Sequence, residues 1–226
     1  ILMKILITGG LGFIGSNLAR TLLIQGHDVT LLDSLVPAYG GNMFNVHGLN
    51  SKLKINISDL RDPYATRELL RGVDVVFNLA GQTSHADSMT DPITDLEINS
   101  KAQLLFLEAV RDVCPDATIV FASTRQIYGR PKYLPVDEKH PLHPVDVNGI
   151  NKIAGEQYHI LYHEVYGIAS SVLRLTNTYG PRMRIKDARQ TFLGIWIKNL
   201  LQGKPIQVFG DGEQRRDYNF VDDVID

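Results

Sequence analysis

Residues 4–33, KILITGGLGFIGSNLARTLLIQGHDVTLLD, constrain the fold more than any other stretch. Lys4–Thr8 is a short, isoleucine-rich apolar run, which predicts a buried strand. Gly9, Gly12 and Gly15 follow at a spacing of three. Ile14, Leu18 and Leu22 then recur one turn apart and Gly26 stops the pattern, which predicts a helix. Residues 28–32 read as a second strand, closed by Asp33. The unit is strand, glycine turn, helix, strand.

Glycine has a task at each of these points. A side chain at Gly9 or Gly12 would hold the backbone away from a pyrophosphate, and Gly15 lets the helix lie close on the strand. Free N–H groups at the helix start, together with the helix dipole, favour phosphate charge. Asp33 stands where a carboxylate can accept both hydroxyls of an adenosine ribose. It would repel a 2′-phosphate, so the pattern predicts NAD rather than NADP.

The same rhythm continues. Strands are expected at 53–57, 73–79, 118–122 and 169–175, and helices from Pro63 to about Arg71, over 93–113 and over 147–166, the last stopped by Gly167. On 147–166, Ile150, Ala154, Leu161 and Val165 share one side. Strand and helix alternate, which predicts an α/β fold, a Rossmann-type doubly wound parallel sheet with ligands at the carboxyl ends of its strands. After Asn177 the rhythm breaks. A helix around 191–202, a strand at 206–209 and a turn at 210–212 predict the start of a smaller C-terminal substrate lobe. We therefore divide the chain into 1–176, a NAD-binding domain, and 177–226, a partial substrate lobe. The last residues, 221–226, look like a helix start, so the chain reads as truncated.

Composition narrows the classes. The 226 residues, 44% hydrophobic and 21% charged, suit a globular domain with a sizeable core. The net charge of -2 and the lack of a basic block point away from nucleic acid and anionic membranes. No segment is long enough to span a membrane, and too few residues precede the first strand for a signal peptide. Cys114 is the single cysteine, so no internal disulfide can form and a cytoplasmic location is expected. His27, His47 and His159 stand alone, so no metal site is expected.

Separated motifs carry a resemblance: TGGLGFIG from Thr8, NLAGQ from Asn78, FASTRQIYG from Phe121, NKIAGEQY, LRLTNTYGPR from Leu173 and VFGDGEQRRDYNFVDD from Val208. Over nearly its whole length the chain resembles the extended short-chain dehydrogenase/reductases of the NAD-dependent epimerase/dehydratase family, which act on nucleotide sugars. The resemblance implies cofactor contacts at Gly9, Gly12, Phe13, Ile14, Gly15 and Asp33, then at Asp59 and Leu60 on the adenine. It places Leu79, Ala80, Gly81, Asn99, Ser123, Lys152 and Thr176 further along the cofactor. Thr83, Asn177 and Arg216 would meet the substrate, a nucleoside-diphosphate sugar, with Arg216 clamping its pyrophosphate. A homodimer through the 93–113 and 147–166 helices is also implied.

For catalysis the resemblance implies Thr124, whose hydroxyl would hold the reacting sugar oxygen, and Lys152, which would bind the nicotinamide ribose. Family dehydratases carry an Asp-Glu pair after that Thr; Arg125 and Gln126 stand there, and neither exchanges a proton near neutral pH. Dehydration is therefore disfavoured, and the LAGQ and STRQIYG wording resembles the CDP-tyvelose/paratose epimerase branch more closely. The family's Tyr-x-x-x-Lys reads Asn148-x-x-x-Lys152. An amide is no general base. Three explanations stay open: another group supplies the base, with His85, Asp87, His143 and Asp146 as candidates in nearby loops; the position is an engineered inactivation; or the protein binds its ligands without the usual turnover. Epimerisation is the expected reaction, a keto-sugar reductase the alternative among enzymes, and a cofactor-binding protein with little turnover the alternative outside them.

Overall fold

The computed structural model describes residues 1–49, 53–187 and 192–226. Six strands form one parallel sheet: β1 (Lys4–Thr8), β2 (Asp28–Asp33), β3 (Lys54–Ile57), β4 (Val75–Asn78), β5 (Thr118–Thr124) and β6 (Ser170–Leu175), in the order β3-β2-β1-β4-β5-β6. β1 is apolar on both faces because both are covered. Ile5 and Ile7 pack with Leu18 and Leu22 of α1 (Phe13–Ile24), whereas Leu6 points the other way, into a core shared with Phe106, Ile119 and Tyr162. That alternation follows from the two-residue repeat of a strand. From β1 the chain works outward to β2 and β3, then returns to β4 on the other side. The carboxyl ends of β1 and β4 therefore part, and a crevice opens between them.

Local chemistry sets the helix ends. Asp62 caps α2 (Pro63–Leu69), with proline at the first position, where no N–H is needed. Asp146 caps α6 (Val147–Tyr166) by accepting from the Gly149 amide at 2.6 Å, and Gly167, at φ 75°, ends it. The expected 93–113 helix has three parts: α4 (Pro92–Leu96), a π-helical turn over Glu97–Lys101, and α5 (Ala102–Val113). A short α3 (His85–Thr90), capped by Ser84, precedes it. His85 and Asp87 thus sit on a helix and not in a loop.

The apolar side of α6 faces outward. Ile150, Leu161 and Val165 are exposed, while Asn148, Asn151, Lys152, Glu156 and His159 are buried against the sheet and α4.

Beyond the sheet, β7 (Asn177–Tyr179) pairs in parallel with β8 (Tyr218–Phe220), and α8 (Val221–Ile225) brings Val221 into the interior near α1. The sequence pattern misses this pair. The strand expected at 206–209 does not form: these residues are irregular, and Val208 and Phe209 are 53% and 75% exposed. The last long helix, α7, runs Phe192–Leu201; Thr191, where it was expected to begin, lies outside the described residues. Among the described residues no helix is long and apolar enough to cross a membrane.

Candidate functional site

The crevice is a cleft of about 310 Å³ at the carboxyl rim of the sheet, within the size range of small-molecule sites. The glycine turn forms its floor. Gly9 has φ +66°, and a Cβ there would sit 3.0 Å from the Ala80 backbone; a Cβ on Gly15 would sit 2.5 Å from the Gly9 carbonyl. Only glycine fits either place without moving backbone. Gly12 precedes α1 with no side chain capping the helix and no acid in its first turn. The first N–H groups of α1 therefore remain available to an anion. Phe13, Ile14 and Gly15 line the cleft beside them. Thr8 ties the two rims together: its hydroxyl donates to Asn78 Oδ1 at 2.9 Å and accepts from the Ala80 amide at 3.0 Å. Leu79, Ala80 and Gly81 follow along the wall.

At one end lie Asp33, Asp59 and Leu60. Asp33 accepts from the Leu11 and Leu35 amides at 2.9 and 2.8 Å. Two amides do not exhaust a carboxylate, which has about four acceptor positions. Burial raises its pKa, and the two amides oppose that rise. Asp59 is clamped by Arg61, whose Nε and Nη2 donate at 2.9 and 2.8 Å and hold the Asp59 carboxyl below its usual range.

At the other end lies Thr124, whose hydroxyl accepts from the Gln126 amide at 3.2 Å. Ser123 lines the cleft, but its hydroxyl turns away and donates to Glu156 Oε2 at 2.9 Å. Of the two hydroxyls at the end of β5, that of Thr124 is therefore the one left to the cleft, because neighbouring strand residues point to opposite faces. Glu156 is buried and also pairs with Arg174, which donates to the Tyr128 hydroxyl at 2.9 Å.

Lys152 is buried, lines the cleft, and donates to the Ala122 carbonyl at 3.1 Å. Burial pulls its ammonium pKa down to about 8, with the Asp95 carboxylate opposing. Asn148 lines the cleft one turn earlier. Its amide donates to the Gln82 carbonyl at 2.7 Å and to Asp95 at 2.9 Å. Asn99 lies behind the wall and does not line the cleft; it donates to Gln82 and Asp95, and its Oδ1 is buried without a partner. Asp95, which no sequence motif marks, is the hub of this cluster.

On the outer side, Thr83, Thr176 and Asn177 line the cleft. Asn177 accepts from Arg125 Nη2 at 3.2 Å. Arg216 does not line the cleft; it is held on an exposed loop by Gln214. Burial lowers the pKa of Arg125, and the nearby Arg216 charge adds to that. The motifs also leave unmarked the lining residues Tyr39, Ile98 and Met183. Of the four alternative bases, none lines the cleft. His85 Nδ1 is 2.8 Å from Asp146 Oδ2. Among the described residues no cluster suited to a metal ion is found.

These residues fit a dinucleotide: a glycine cradle that any Cβ would fill, open amides at a helix start, a buried carboxylate with acceptor capacity, and a buried, unpartnered Thr176 Oγ1 at the far wall.

The family described as the NAD dependent epimerase/dehydratase family matches residues 5–226. A putative UDP-glucose 4-epimerase of Methanocaldococcus jannaschii is 36% identical over 97% of this chain and 70% of its own length. The crystal structure of a UDP-glucose 4-epimerase with UDP-glucose from Thermotoga maritima superposes with a TM-score of 0.90 at 34% identity, over 99% of this chain and 71% of that one. A UDP-glucose 4-epimerase of Thermus thermophilus in complex with NAD gives 0.88 at 33% identity, over 99% and 72%.

Proposed function

Since the chain belongs to the NAD-dependent epimerase/dehydratase family, we propose that this enzyme epimerises the sugar of a nucleoside-diphosphate sugar, with UDP-hexoses the first candidates. Its cofactor is NAD, which when bound accepts a hydride from a sugar carbon and returns it. The chain's own residues do the rest. The amides of α1 and the glycine turn hold the diphosphate, and Asp33 holds the adenosine ribose. Thr124 holds the reacting oxygen, Lys152 the far ribose, and Thr83 and Asn177 the sugar side. Residues 1–176 carry the cofactor half; 177–226 begin the sugar lobe.

One observation carries this reading. Thr124 and Lys152 share one rim of the glycine-turn cleft, while the two side chains after Thr124 are Arg125 and Gln126. Such a rim can support reversible oxidation but has no acid–base pair for expelling a hydroxyl. Asn148 supports a second reading, a cofactor-binding protein with little turnover, because its amide cannot accept the proton that oxidation releases.

Purified protein incubated with UDP-, CDP-, GDP- and dTDP-sugars separates the readings. Interconversion of stereochemistry without added cofactor supports the epimerase. Consumption of NADH supports a reductase. Silence with NAD still bound supports the second reading, and more so if Asn148→Tyr then confers turnover.

Assembly belongs to the same proposal. Ile93, Leu96, Leu105, Ile150, Leu161 and Val165 of α4, α5 and α6 are exposed, and a second copy would cover them in a homodimer. The buried single cysteine, Cys114, suits the reducing cytoplasm.

A further inference from the structure

Oxidising a sugar carbinol releases a proton from its hydroxyl, and Asn148 cannot take it. Among the described residues, the ionisable side chains lining the cleft are Asp33, Tyr39, Asp59, Arg61, Arg125 and Lys152. The acids sit at the end of β2 and just beyond β3; Arg61 follows Asp59 by two residues, and Tyr39 closes a 3-10 turn (Pro37–Tyr39) after β2. In sheet order β5, which carries Thr124, lies three strands from β2 and four from β3. At about 4.8 Å per strand, that is roughly 14 to 19 Å from the reacting hydroxyl. Arg125 keeps its proton at any ordinary pH. Asp146 is committed to the α6 cap and to His85, and neither group lines the cleft.

Lys152 remains, and its placement suits the task. Its Nζ donates to the carbonyl of Ala122, two residues before Thr124 on the same strand. It stands so close to Gly81 that a Cβ on that glycine would be 2.8 Å from it. Among the described residues no carboxylate lies within ion-pair distance of Nζ; the nearby Asp95 accepts from the amides of Asn99, Asn148 and Asn151.

We propose that Lys152 Nζ is itself the proton acceptor for the sugar hydroxyl that Thr124 holds. The assignment rests on the epimerase reading. The hydroxyl O–H bond breaks, its proton joins the neutral amine to give an ammonium, and the oxygen's electron pair closes the carbonyl as the carbon's hydride departs. On the return stroke the same proton goes back, so nothing is consumed. Burial holds the amine near neutrality, with its pKa at about 8, so a usable fraction is unprotonated in mildly alkaline solution. An amine in water would be almost wholly charged there.

Two measurements on the NAD-bound protein test this. The first needs no turnover: 15N-lysine NMR, assigned by loss of one signal in Lys152→Arg, should show Nζ titrating near 8. The second follows the appearance of reduced cofactor on mixing with a nucleotide sugar. Its rate should rise with pH to the same midpoint. Lys152→Arg should still bind NAD but lose at least ~100-fold in this rate, together with the pH dependence. In Lys152→Ala, small primary amines should restore the rate in order of their basicity.

A midpoint that survives in Lys152→Arg overturns the proposal, as does a folded, NAD-binding Lys152→Ala that amines do not rescue. So does an Nζ titrating above 10, or a midpoint that vanishes only in His85→Gln. If none of the nucleotide sugars reduces the bound cofactor of the wild-type protein while Nζ titrates near 8, the epimerase reading itself falls, and the base assignment with it.

Discussion

The side-chain amide of Asn148 donates to the buried carboxylate of Asp95 at 2.9 Å, and Asn151 donates to the other oxygen of that carboxylate at 2.7 Å. Asp95 is fully buried, and the amides of three asparagines surround it. Position 148 is thus tied into the packing of α4 against α6 as well as facing the cleft. A substitution there acts on stability and chemistry together.

Asn148→Asp separates the two. It keeps the shape but sets two carboxyl oxygens about 2.9 Å apart, and like charges in a buried site cannot both ionise. We expect a loss of ~2–4 kcal/mol at pH 8. The pair's folded pKa is raised above its unfolded value. The folded variant therefore binds more protons than the unfolded chain, and its stability relative to wild type recovers as pH falls from 8 toward 4. Urea unfolding at pH 8 and pH 5 checks this; an equal deficit at both would refute it.

The turn glycines differ in what they tolerate. A Cβ on Gly12 would meet only the Gly9 carbonyl, at 3.1 Å, whereas one on Gly15 would press to 2.5 Å from the same atom and 2.8 Å from Gly10 Cα. Gly15→Ala should lower stability by ~1–3 kcal/mol, the usual result of overpacking. Gly12→Ala should leave unfolding nearly unchanged and weaken NAD by ~10-fold or more, because the methyl occupies the approach to the phosphates. Calorimetric NAD titrations paired with thermal unfolding of both variants decide it.

Their legibility in the sequence explains the pattern of what was readable. Gly15 answers to the backbone of Gly9 and Gly10, and Gly9 to its own positive φ as well as to Ala80 across the sheet, so the local text states most of the requirement. Ser123 answers to Glu156, a distant residue on α6, and only the assembled sheet shows that its hydroxyl turns away from the cleft. Asp95 gave no signal, since an acid in a helix ordinarily faces water. The pairing of β7 with β8 joins two strands of three residues from separate parts of the chain, too short for periodicity to register. Residues 206–209 misled for the opposite reason: Val208 and Phe209 carry apolar side chains, but among the described residues no strand pairs with them.

His159 gives the chain an acid-sensitive point. It is fully buried, its ring stacks on Phe121 at 4.2 Å, and burial lowers its pKa from 6.5 to about 4. Between those values the unfolded chain binds a proton that the folded one refuses. Stability is therefore lost as pH falls through 6.5 toward 4, by roughly 3 kcal/mol over the full interval. His159→Phe preserves the stacking and has nothing to titrate. Between pH 7 and 4.5 it should lose roughly 2–3 kcal/mol less than wild type in urea unfolding. Parallel acid profiles for the two proteins would show the ring to be indifferent.

The pair of Glu156 and Arg174 makes the last case. Glu156 is 1% exposed and Arg174 half-shielded, and the acid also accepts from Ser123 while the guanidinium donates to Tyr128. Removing one partner leaves a charge in the interior with no counter-charge, so Arg174→Met should cost ~3 kcal/mol or more. Removing both charges lifts that penalty. The double variant Glu156→Gln, Arg174→Met should therefore be more stable than Arg174→Met alone, although it carries one more change. Ser123 retains a partner in the glutamine, so NAD affinity should change little in the double variant. A double-mutant cycle by urea unfolding gives the coupling. If the two single losses simply add, the ion pair contributes nothing beyond its separate hydrogen bonds, and the buried network beneath Thr124 is held by packing instead.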